Sequence, residues 1–255
     1  MRVRALVAYD GTDYNGFQRQ VDVPTVQETL EKTLAQVTQE SVTVWAAGRT
    51  DAGVHALGQV IAFDTSWRHG MEDLQRAMNA VLPPDVAVRE LGVAGSDFHP
   101  RFDARSRLYQ YRIHNAPVRS PIARRHSLHM PYPLDTALMQ RAAESLVGEH
   151  DFATFGQAPQ GEVTVRRVFS AVWGEERCDC VSFDGTRNRG RFLTLDIEAN
   201  AFLYRMVRSI VGTLLDVGQG RMRVSAFGEA FASCDRSRAG KTAAPHGLCL
   251  VQVNY

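Results

Sequence analysis

The chain has 255 residues, of which 44% are hydrophobic and 22% charged, a composition typical of a globular protein of one or two domains. No run approaches the roughly 18 apolar residues of a membrane span, and the opening residues MRVRALVAYDG have a strand pattern and not that of a secretion signal. We therefore expect a cytoplasmic protein without a membrane segment. Four cysteines are too few for a disulfide framework, and their spacing predicts no metal site.

One segment is strongly basic, although the net charge of the whole chain is only +1. Between His99 and His129 the sequence has seven arginines and one acidic residue, Asp103. The arginines are Arg101, Arg105, Arg107, Arg112, Arg119, Arg124 and Arg125. Positive charge concentrated in one segment indicates a polyanionic partner such as a nucleic acid. A solvated basic loop would have the same composition, and charge alone does not separate these interpretations.

The first hundred residues predict the order strand, helix, strand, strand, helix, strand. VRALVAYDG is a strand, and Thr25 with Glu28 forms a capping box in front of an amphipathic helix. VTVWA and QVIAFD are the next strands, MEDLQRAMNAVL is a helix that ends before Pro83 and Pro84, and VAVRELGVA is the last strand. This order defines the split βαβ, or ferredoxin-like, unit.

The remainder of the chain repeats the same order with one helix added. RLYQYRIHN is a strand, residues 135–147 form a helix, and VRRVFSAVW and RFLTLDIEA are strands. AFLYRMVRSIVGTLLDV is an apolar helix that ends at Gly218, a short helix lies near residues 225–233, and LCLVQVNY is the final strand.

We therefore expect an α+β protein with two ferredoxin-like domains, residues 1–104 and 105–255. The two halves are expected to share a continuous antiparallel sheet, with the helices on one face and a basic cleft between the halves. The predicted boundary falls just inside the arginine-rich segment, so its charge would line that cleft.

The stretch AAGRTDAGVHALGQV, residues 46–60, places an arginine and an aspartate in a glycine-tight connection between two strands. In extended backbone, residues two apart share a face, so Arg49 and Asp51 can point the same way. A nearby guanidinium favours the ionised form of a carboxylate. An ionised and positioned carboxylate can be a nucleophile toward a sugar carbon or an electron-poor ring. A simple turn with an incidental ion pair is the alternative.

Two further stretches contain residues suited to chemistry on RNA. FHPRFDARSRLYQYRIHN alternates aromatic residues, which stack on unpaired bases, with arginines, which hold phosphates. In this stretch Tyr111 fits a core position, whereas Tyr109 fits either side. In the helix AFLYRMVRSIVGTLL, Arg205 and Arg208 lie off the apolar stripe on the side of Asp216. Those arginines either pair with Asp216 at the surface or face a catalytic carboxylate.

Together these three stretches resemble the tRNA pseudouridine synthase A family. AAGRTDAGVHALGQV matches the central signature of that family, with Asp51 at the position of its catalytic aspartate. The similarity continues in YDGTDYNGFQRQ, FHPRF, RSRLYQYRI, GEHDFATF, NAFLYRMVRSIVGTLLDVG and GLCLVQVNY. It extends over the whole chain, in order.

The resemblance implies isomerisation of uridine to pseudouridine at positions 38 to 40 of the tRNA anticodon stem-loop, by a homodimer without cofactor or metal. It implies that Asp51 is the nucleophile, that Tyr109 stacks on the target base, that Arg208 is the basic partner of the aspartate, and that Arg49 assists base flipping. Further RNA contacts are expected from Phe98, His99, Arg101, Phe102, Arg105 and Gln59. Attack at the sugar C1′ and attack at the ring C6 both stay open.

Two other classes of function compete with this interpretation. A non-catalytic RNA-binding protein with tandem RRM-like domains would explain the basic aromatic segment. It would not explain an aspartate beside that segment, and the chain has no RNP1-like run. A hydrolase that uses Asp51 with His55 would need a second acid at a supporting spacing, which the sequence does not provide.

Overall fold

A computed structural model describes residues 1–158, 163–181 and 187–255. In chain order its elements are β1 (Arg2–Tyr9), α1 (Val26–Thr38), β2 (Trp45–Ala46), β3 (His55–Asp64), α2 (Met71–Val81), β4 (Val86–Val93), β5 (Ser106–Asn115), β6 (Leu128–Met130), α3 (Thr136–Glu144), β7 (Gly148–Asp151), β8 (Val165–Val181), β9 (Arg187–Ala199), α4 (Met206–Gly218), α5 (Val224–Ala232) and β10 (Leu248–Asn254), with short 3₁₀ helices at Ala123–Arg125, Arg236–Arg238 and Pro245–Gly247. The α+β class is therefore confirmed. None of the helices in the described ranges is long and apolar enough to cross a bilayer.

The chain divides into two compact units. The first contains residues Met1–Arg107 together with Cys249–Tyr255, and the second contains Leu108–Leu248. The final strand thus groups with the N-terminal unit, a discontinuous division that the sequence pattern does not reveal. Which strand a terminal segment joins is decided by pairing with distant backbone, which leaves no local signal.

In the first unit the strand order is β4-β1-β3-β10, and β2 pairs with the C-terminal half of β3. The pairs β1–β3, β1–β4 and β2–β3 are antiparallel, whereas β3 and β10 run parallel. The helices α1 and α2 bury their apolar faces. The predicted cap is present, because the Thr25 side chain accepts from the Glu28 N–H and thereby begins α1. The fully buried core side chains include Val3, Val7, Leu30, Leu34, Ile61, Phe63, Leu74 and Met78.

In the second unit the strand order is β5-β9-β8-β7, and the short strand β6 pairs in parallel with β5. The strands β7, β8 and β9 are antiparallel neighbours. The helices α3, α4 and α5 pack on one another, and α3 also packs on β8. The predicted order of elements is followed as far as α5, with the short strands β6 and β7 added, but the final strand that the prediction assigned to this half is β10 of the first unit.

Helix α4 begins five residues later than its apolar pattern predicts. The pattern starts at Ala201, but the helix starts at Met206. The Tyr204 N–H donates to the Gln157 carbonyl at 3.0 Å, and Arg205 takes a left-handed backbone conformation with φ of 59°. Both features hold the preceding residues out of helical geometry. Within α4 itself every residue except Arg208 and Asp216 is buried, so these are the two polar side chains that the helix presents.

Candidate active site

The signature loop, residues 47–54, joins β2 to β3 and contains both Arg49 and Asp51. Asp51 is half-buried and Arg49 is exposed. The loop turns tightly after the aspartate, because the Val54 N–H donates to the Asp51 carbonyl at 3.1 Å and Gly53 has a positive φ of 76°. Glycine adopts that conformation without a steric cost. The loop therefore has a defined backbone shape at the aspartate.

A second loop, the β1–α1 loop of residues 10–25, packs directly on the signature loop. The Phe17 N–H donates to the Thr50 carbonyl at 3.0 Å, and the Gly53 N–H donates to the Tyr14 carbonyl at 3.2 Å. A Cβ atom on Gly16 would lie 2.7 Å from the Thr50 carbonyl oxygen, and a Cβ on Gly11 would lie 2.0 Å from that of Val54. Only glycines permit this approach. The residues on both sides of Asp51 are thus held by backbone contacts.

Two buried side chains form hydrogen bonds with the signature loop. The Tyr9 hydroxyl lies 2.8 Å from Thr50 Oγ1, and the Gln59 amide donates to the Gly48 carbonyl at 2.8 Å. Burial raises the pKa of Tyr9 to about 12, so this hydroxyl stays neutral at physiological pH. Gln59 has 0% exposure, although we expected it to contact RNA. The buried position of Gln59 fits a supporting role for the loop, and its contact with RNA stays a prediction.

His55 is buried and lies beside the β1–α1 loop. Its Nδ1 atom is 3.0 Å from Asp10 Oδ1 and 3.1 Å from the nitrogen of the Gly11 N–H. The same Asp10 oxygen accepts from the Thr12 N–H at 3.0 Å. These contacts join the start of β3 to the end of β1. They account for His55 without the hydrolytic role that the competing interpretation would give it.

The basic aromatic segment, residues 98–104, presents some predicted RNA contacts and buries others. Phe102 is 74% exposed, and its ring lies 4.3 Å from that of His99 and 5.6 Å from the Arg101 guanidinium. Arg101 and Arg105 are also exposed. Phe98, in contrast, is half-buried with its ring 5.2 Å from that of Tyr255. Its ring contact is explained by packing within the first unit.

The structure also divides the seven arginines of the basic stretch. Arg107 is buried, and Arg112 lies with its guanidinium 3.9 Å from the centre of the Phe192 ring. The other five are exposed, namely Arg101, Arg105, Arg119, Arg124 and Arg125. A count of charges along the sequence therefore overstates the positive charge that the surface can offer to phosphates.

In the second unit, Tyr109 and Arg208 each have a fixed environment. Tyr109 on β5 is 8% exposed, and its ring meets that of Phe202 edge-on at 5.0 Å. Arg208 on α4 donates from Nε to the Ala243 carbonyl at 2.9 Å, and the Ala243 N–H donates back to the Arg208 carbonyl at 3.0 Å. Asp216, the surface partner considered for the arginines of α4, forms an ion pair with Arg221, Nε to Oδ1, at 3.0 Å.

Chemically, the first unit provides a half-buried carboxylate on a braced loop and an exposed patch of aromatic and arginine side chains. The second unit provides a buried tyrosine and a backbone-anchored arginine. A carboxylate fixed in this way can act as a nucleophile or a base. Aromatic rings and guanidinium groups suit bases and phosphates.

Comparison with known proteins agrees with these features. The chain matches the family model for tRNA pseudouridine synthase over residues 5–103 and 142–255. It is 46% identical to tRNA pseudouridine synthase A of Chloroflexus aurantiacus, an alignment that covers 99% of this chain and 88% of that protein. It is 41% identical to the enzyme of the same name from Brevibacillus brevis, with 100% and 99% covered, and 42% identical to that of Geotalea uraniireducens, with 100% and 99% covered.

The family match includes the signature loop, residues 98–103 of the basic aromatic segment and α4, and the Brevibacillus brevis relative aligns over nearly its whole length. The chain therefore belongs to the tRNA pseudouridine synthase family and is an isomerase that acts on tRNA.

Proposed function

We propose that the enzyme converts uridine to pseudouridine in the anticodon stem-loop of tRNA, at positions 38 to 40, with Asp51 as the nucleophile. The observation that carries this proposal is that hydrogen bonds fix the backbone on both sides of Asp51. The carbonyl of Thr50 and the N–H of Gly53, which flank the aspartate, are both bonded to the β1–α1 loop. A nucleophile held in place requires little reorganisation when it reacts.

The reaction needs no redox partner, because substrate and product are isomers. The C1′–N1 glycosidic bond breaks, the uracil ring turns, C5 bonds to the same C1′, and the proton on C5 leaves as a proton is gained at N1. Asp51 forms a transient covalent bond to the substrate, either at C1′ or at C6, and is released when the product forms. A carboxylate serves both routes, so no cofactor is required.

Access to the base requires that the uridine leave its stack. A paired uridine is reached only after flipping, which costs a few kcal/mol. We assign to Arg49, exposed two residues before Asp51, the role of occupying the space that the base vacates. Tyr109 offers its ring to the flipped base, and Arg208, anchored on the Ala243 carbonyl, is the cationic partner of the aspartate. The family resemblance supports each of these roles.

RNA is held outside the reaction centre by the exposed part of the basic aromatic segment. Phe102 stacks on an unpaired base, and Arg101 and Arg105 contact phosphates, since all three are exposed. His99, whose Nδ1 accepts from the Arg101 N–H at 3.2 Å, shapes the turn between them. We further propose that the enzyme acts as a homodimer, which sedimentation at working concentration would measure.

The proposal is tested by incubating the purified protein with an unmodified tRNA transcript. The enzyme should leave the mass of the tRNA unchanged, because uridine and pseudouridine are isomers. A pseudouridine-specific chemical label, added afterwards, should then mark positions 38 to 40. The Asp51→Asn variant serves as the control and should give no label. Label at other positions would reject the anticodon assignment, and no label with the wild-type protein would reject the activity on this substrate.

A further inference from the structure

Arg107 is the second residue of β5 and the arginine of the basic stretch that lies deepest in the protein. It is 9% exposed, so its charge is withdrawn from the surface that RNA would touch. Withdrawing a guanidinium from water is costly unless several acceptors surround it. Backbone carbonyls provide the acceptors for the buried Arg107 guanidinium.

The Arg107 guanidinium donates to backbone carbonyls of two separate stretches of the first unit. Its Nη2 donates to the Ala47 carbonyl at 3.0 Å and to the Arg101 carbonyl at 2.7 Å, and its Nη1 donates to the Ala104 carbonyl at 3.2 Å. Ala47 begins the signature loop, whereas Arg101 and Ala104 belong to the basic aromatic segment. The planar fork of an arginine can satisfy several acceptors at fixed angles, which a lysine ammonium does not reproduce.

Each end of this link is itself attached to a rigid element. The Ala47 N–H donates to the Val60 carbonyl of β3 at 2.8 Å, which fixes the start of the signature loop. At the other end, the Tyr255 hydroxyl donates to the Pro100 carbonyl at 2.8 Å. The guanidinium therefore sets the distance between the loop that contains Asp51 and the turn that exposes Phe102.

We propose that Arg107 is a positioning residue for the isomerisation. Its buried guanidinium holds the RNA-contacting turn of residues 99–104 in register with the signature loop, so that RNA stacked on Phe102 brings its uridine to Asp51. This inference rests on the proposed function. It assigns to Arg107 a role through the backbone, without contact to the substrate.

The test is a double-mutant cycle in kcat/KM for pseudouridine formation, with the variants Arg107→Met and Phe102→Ala. In the wild-type background Phe102→Ala should lower kcat/KM about tenfold, the effect of losing one stacked base. In the Arg107→Met background the same change should lower it less than about twofold, because the turn no longer presents the ring in register. A general loss of stability would lower both values of kcat/KM and leave their ratio unchanged.

Arg2→Met is the matched control, because it removes another arginine that anchors the basic aromatic segment by a hydrogen bond to a backbone carbonyl. Arg2 also bonds the basic aromatic segment, through Nη1 to the Phe98 carbonyl at 2.7 Å, but its ion pair is with Asp64 on β3. It anchors the segment without the bond to Ala47. In the Arg2→Met background, Phe102→Ala should therefore keep its full effect of about tenfold.

The outcomes separate this inference from the proposed function. Wild-type protein that forms no pseudouridine rejects the function itself. If the wild-type protein is active, two results overturn the positioning role. One is that Phe102→Ala lowers kcat/KM by the same factor in the wild-type and Arg107→Met backgrounds. The other is that Phe102→Ala does not lower kcat/KM even in the wild-type background. Loss of the Phe102→Ala effect in the Arg2→Met background overturns the specific link to the signature loop. If Arg107→Met does not fold, the same cycle with Arg107→Lys, which keeps the charge but loses the fork, decides in the same way.

Discussion

At the scale of single residues, Asp51 and Arg107 differ in burial because their surroundings differ. Asp51 stands in a polar, glycine-rich stretch and is half-buried, while Arg107 stands in the most basic stretch and is buried. The difference arises from the partners. Backbone carbonyls of Ala47, Arg101 and Ala104 surround the guanidinium of Arg107. Arg101 and Ala104 lie close to Arg107 in sequence, whereas Ala47 lies 60 residues before it.

The first prediction concerns Asp51 itself. A neutral amide cannot attack the substrate, so Asp51→Asn closes the covalent path. A barrier higher by even ~7 kcal/mol slows the step by about five orders of magnitude. We expect Asp51→Asn and Asp51→Ala to form no detectable pseudouridine, yet to fold and to bind tRNA at least as tightly as the wild-type protein, because a negative charge near phosphate has been removed.

Product formation and tRNA binding should be measured on the same preparations of these variants. Asp97→Asn is the control, since Asp97 is exposed and undergoes the same change of charge. Turnover by Asp51→Asn within about tenfold of wild type would exclude the nucleophile assignment. Loss of binding in step with turnover would instead assign Asp51 a structural role.

The second prediction concerns His114, a buried residue of β5. Its Nδ1 has no hydrogen-bond partner among the described residues. Burial, together with the neighbouring His129 and Arg112, lowers the pKa of His114 below its ordinary value of 6.5. The unfolded chain therefore binds a proton that the native state excludes, and stability falls as the pH drops below about 6.5.

The measurement is the melting temperature of wild type and His114→Phe between pH 7 and pH 5. A phenylalanine can pack on Phe192, whose ring already lies 5.1 Å from that of His114. We expect the variant to lose less stability than wild type on acidification. The exposed His69, changed to Phe in parallel, controls for the exchange of a histidine for a phenylalanine. Equal acid sensitivity of wild type and His114→Phe would contradict the prediction.

At the scale of elements, α4 depends on its close contact with the chain at residues 240–243. A Cβ atom on Gly212 would lie 1.8 Å from the Lys241 carbonyl oxygen. This contact adjoins the pair of hydrogen bonds between Arg208 and Ala243. The glycine lets the two backbones approach, and the approach holds Arg208 in place.

The third prediction is therefore that Gly212→Ala destabilises the protein by about 1–3 kcal/mol or more, as overpacking of a buried site does. Gly228→Ala is the matched control. Gly228 lies within α5, and a Cβ there would meet nothing within 4 Å. The control should stabilise by about 0.5–1 kcal/mol, since alanine favours the helix. Thermal unfolding measures both changes, and a tolerated Gly212→Ala would show that the contact opens easily.

Elements whose signals are local could be predicted, and elements that depend on distant partners could not. The N-cap Thr25 and the burial of α4 follow from residues within a few positions of each other. The start of α4 depends on the Gln157 carbonyl, about 47 residues before Tyr204. The site follows the same division: the glycine-rich signature predicts a turn at Asp51, but the interior position of Gln59 depends on packing.

At the scale of the whole molecule, a chain of net charge +1 has to bind a polyanion. The structure leaves five arginines of the basic stretch exposed and takes Arg107 into the interior. Near-neutral net charge with a local excess limits non-specific attraction, whereas the exposed arginines provide the local field. We therefore propose that charge placement, and not total charge, determines RNA binding.

The last prediction tests this placement through salt. Each phosphate that a cationic side chain neutralises releases condensed counterions, so log affinity falls with log salt, by roughly 0.9 per phosphate on duplex DNA. We expect steep salt dependence of tRNA binding, and we expect Arg101→Ala to reduce the slope by about one unit. Arg141→Ala, an exposed residue of α3 outside the basic stretch, should leave the slope unchanged. Titrations at several salt concentrations measure all three slopes, and a flat wild-type profile, or equal slopes for wild type and Arg101→Ala, would remove Arg101 from the phosphate contacts.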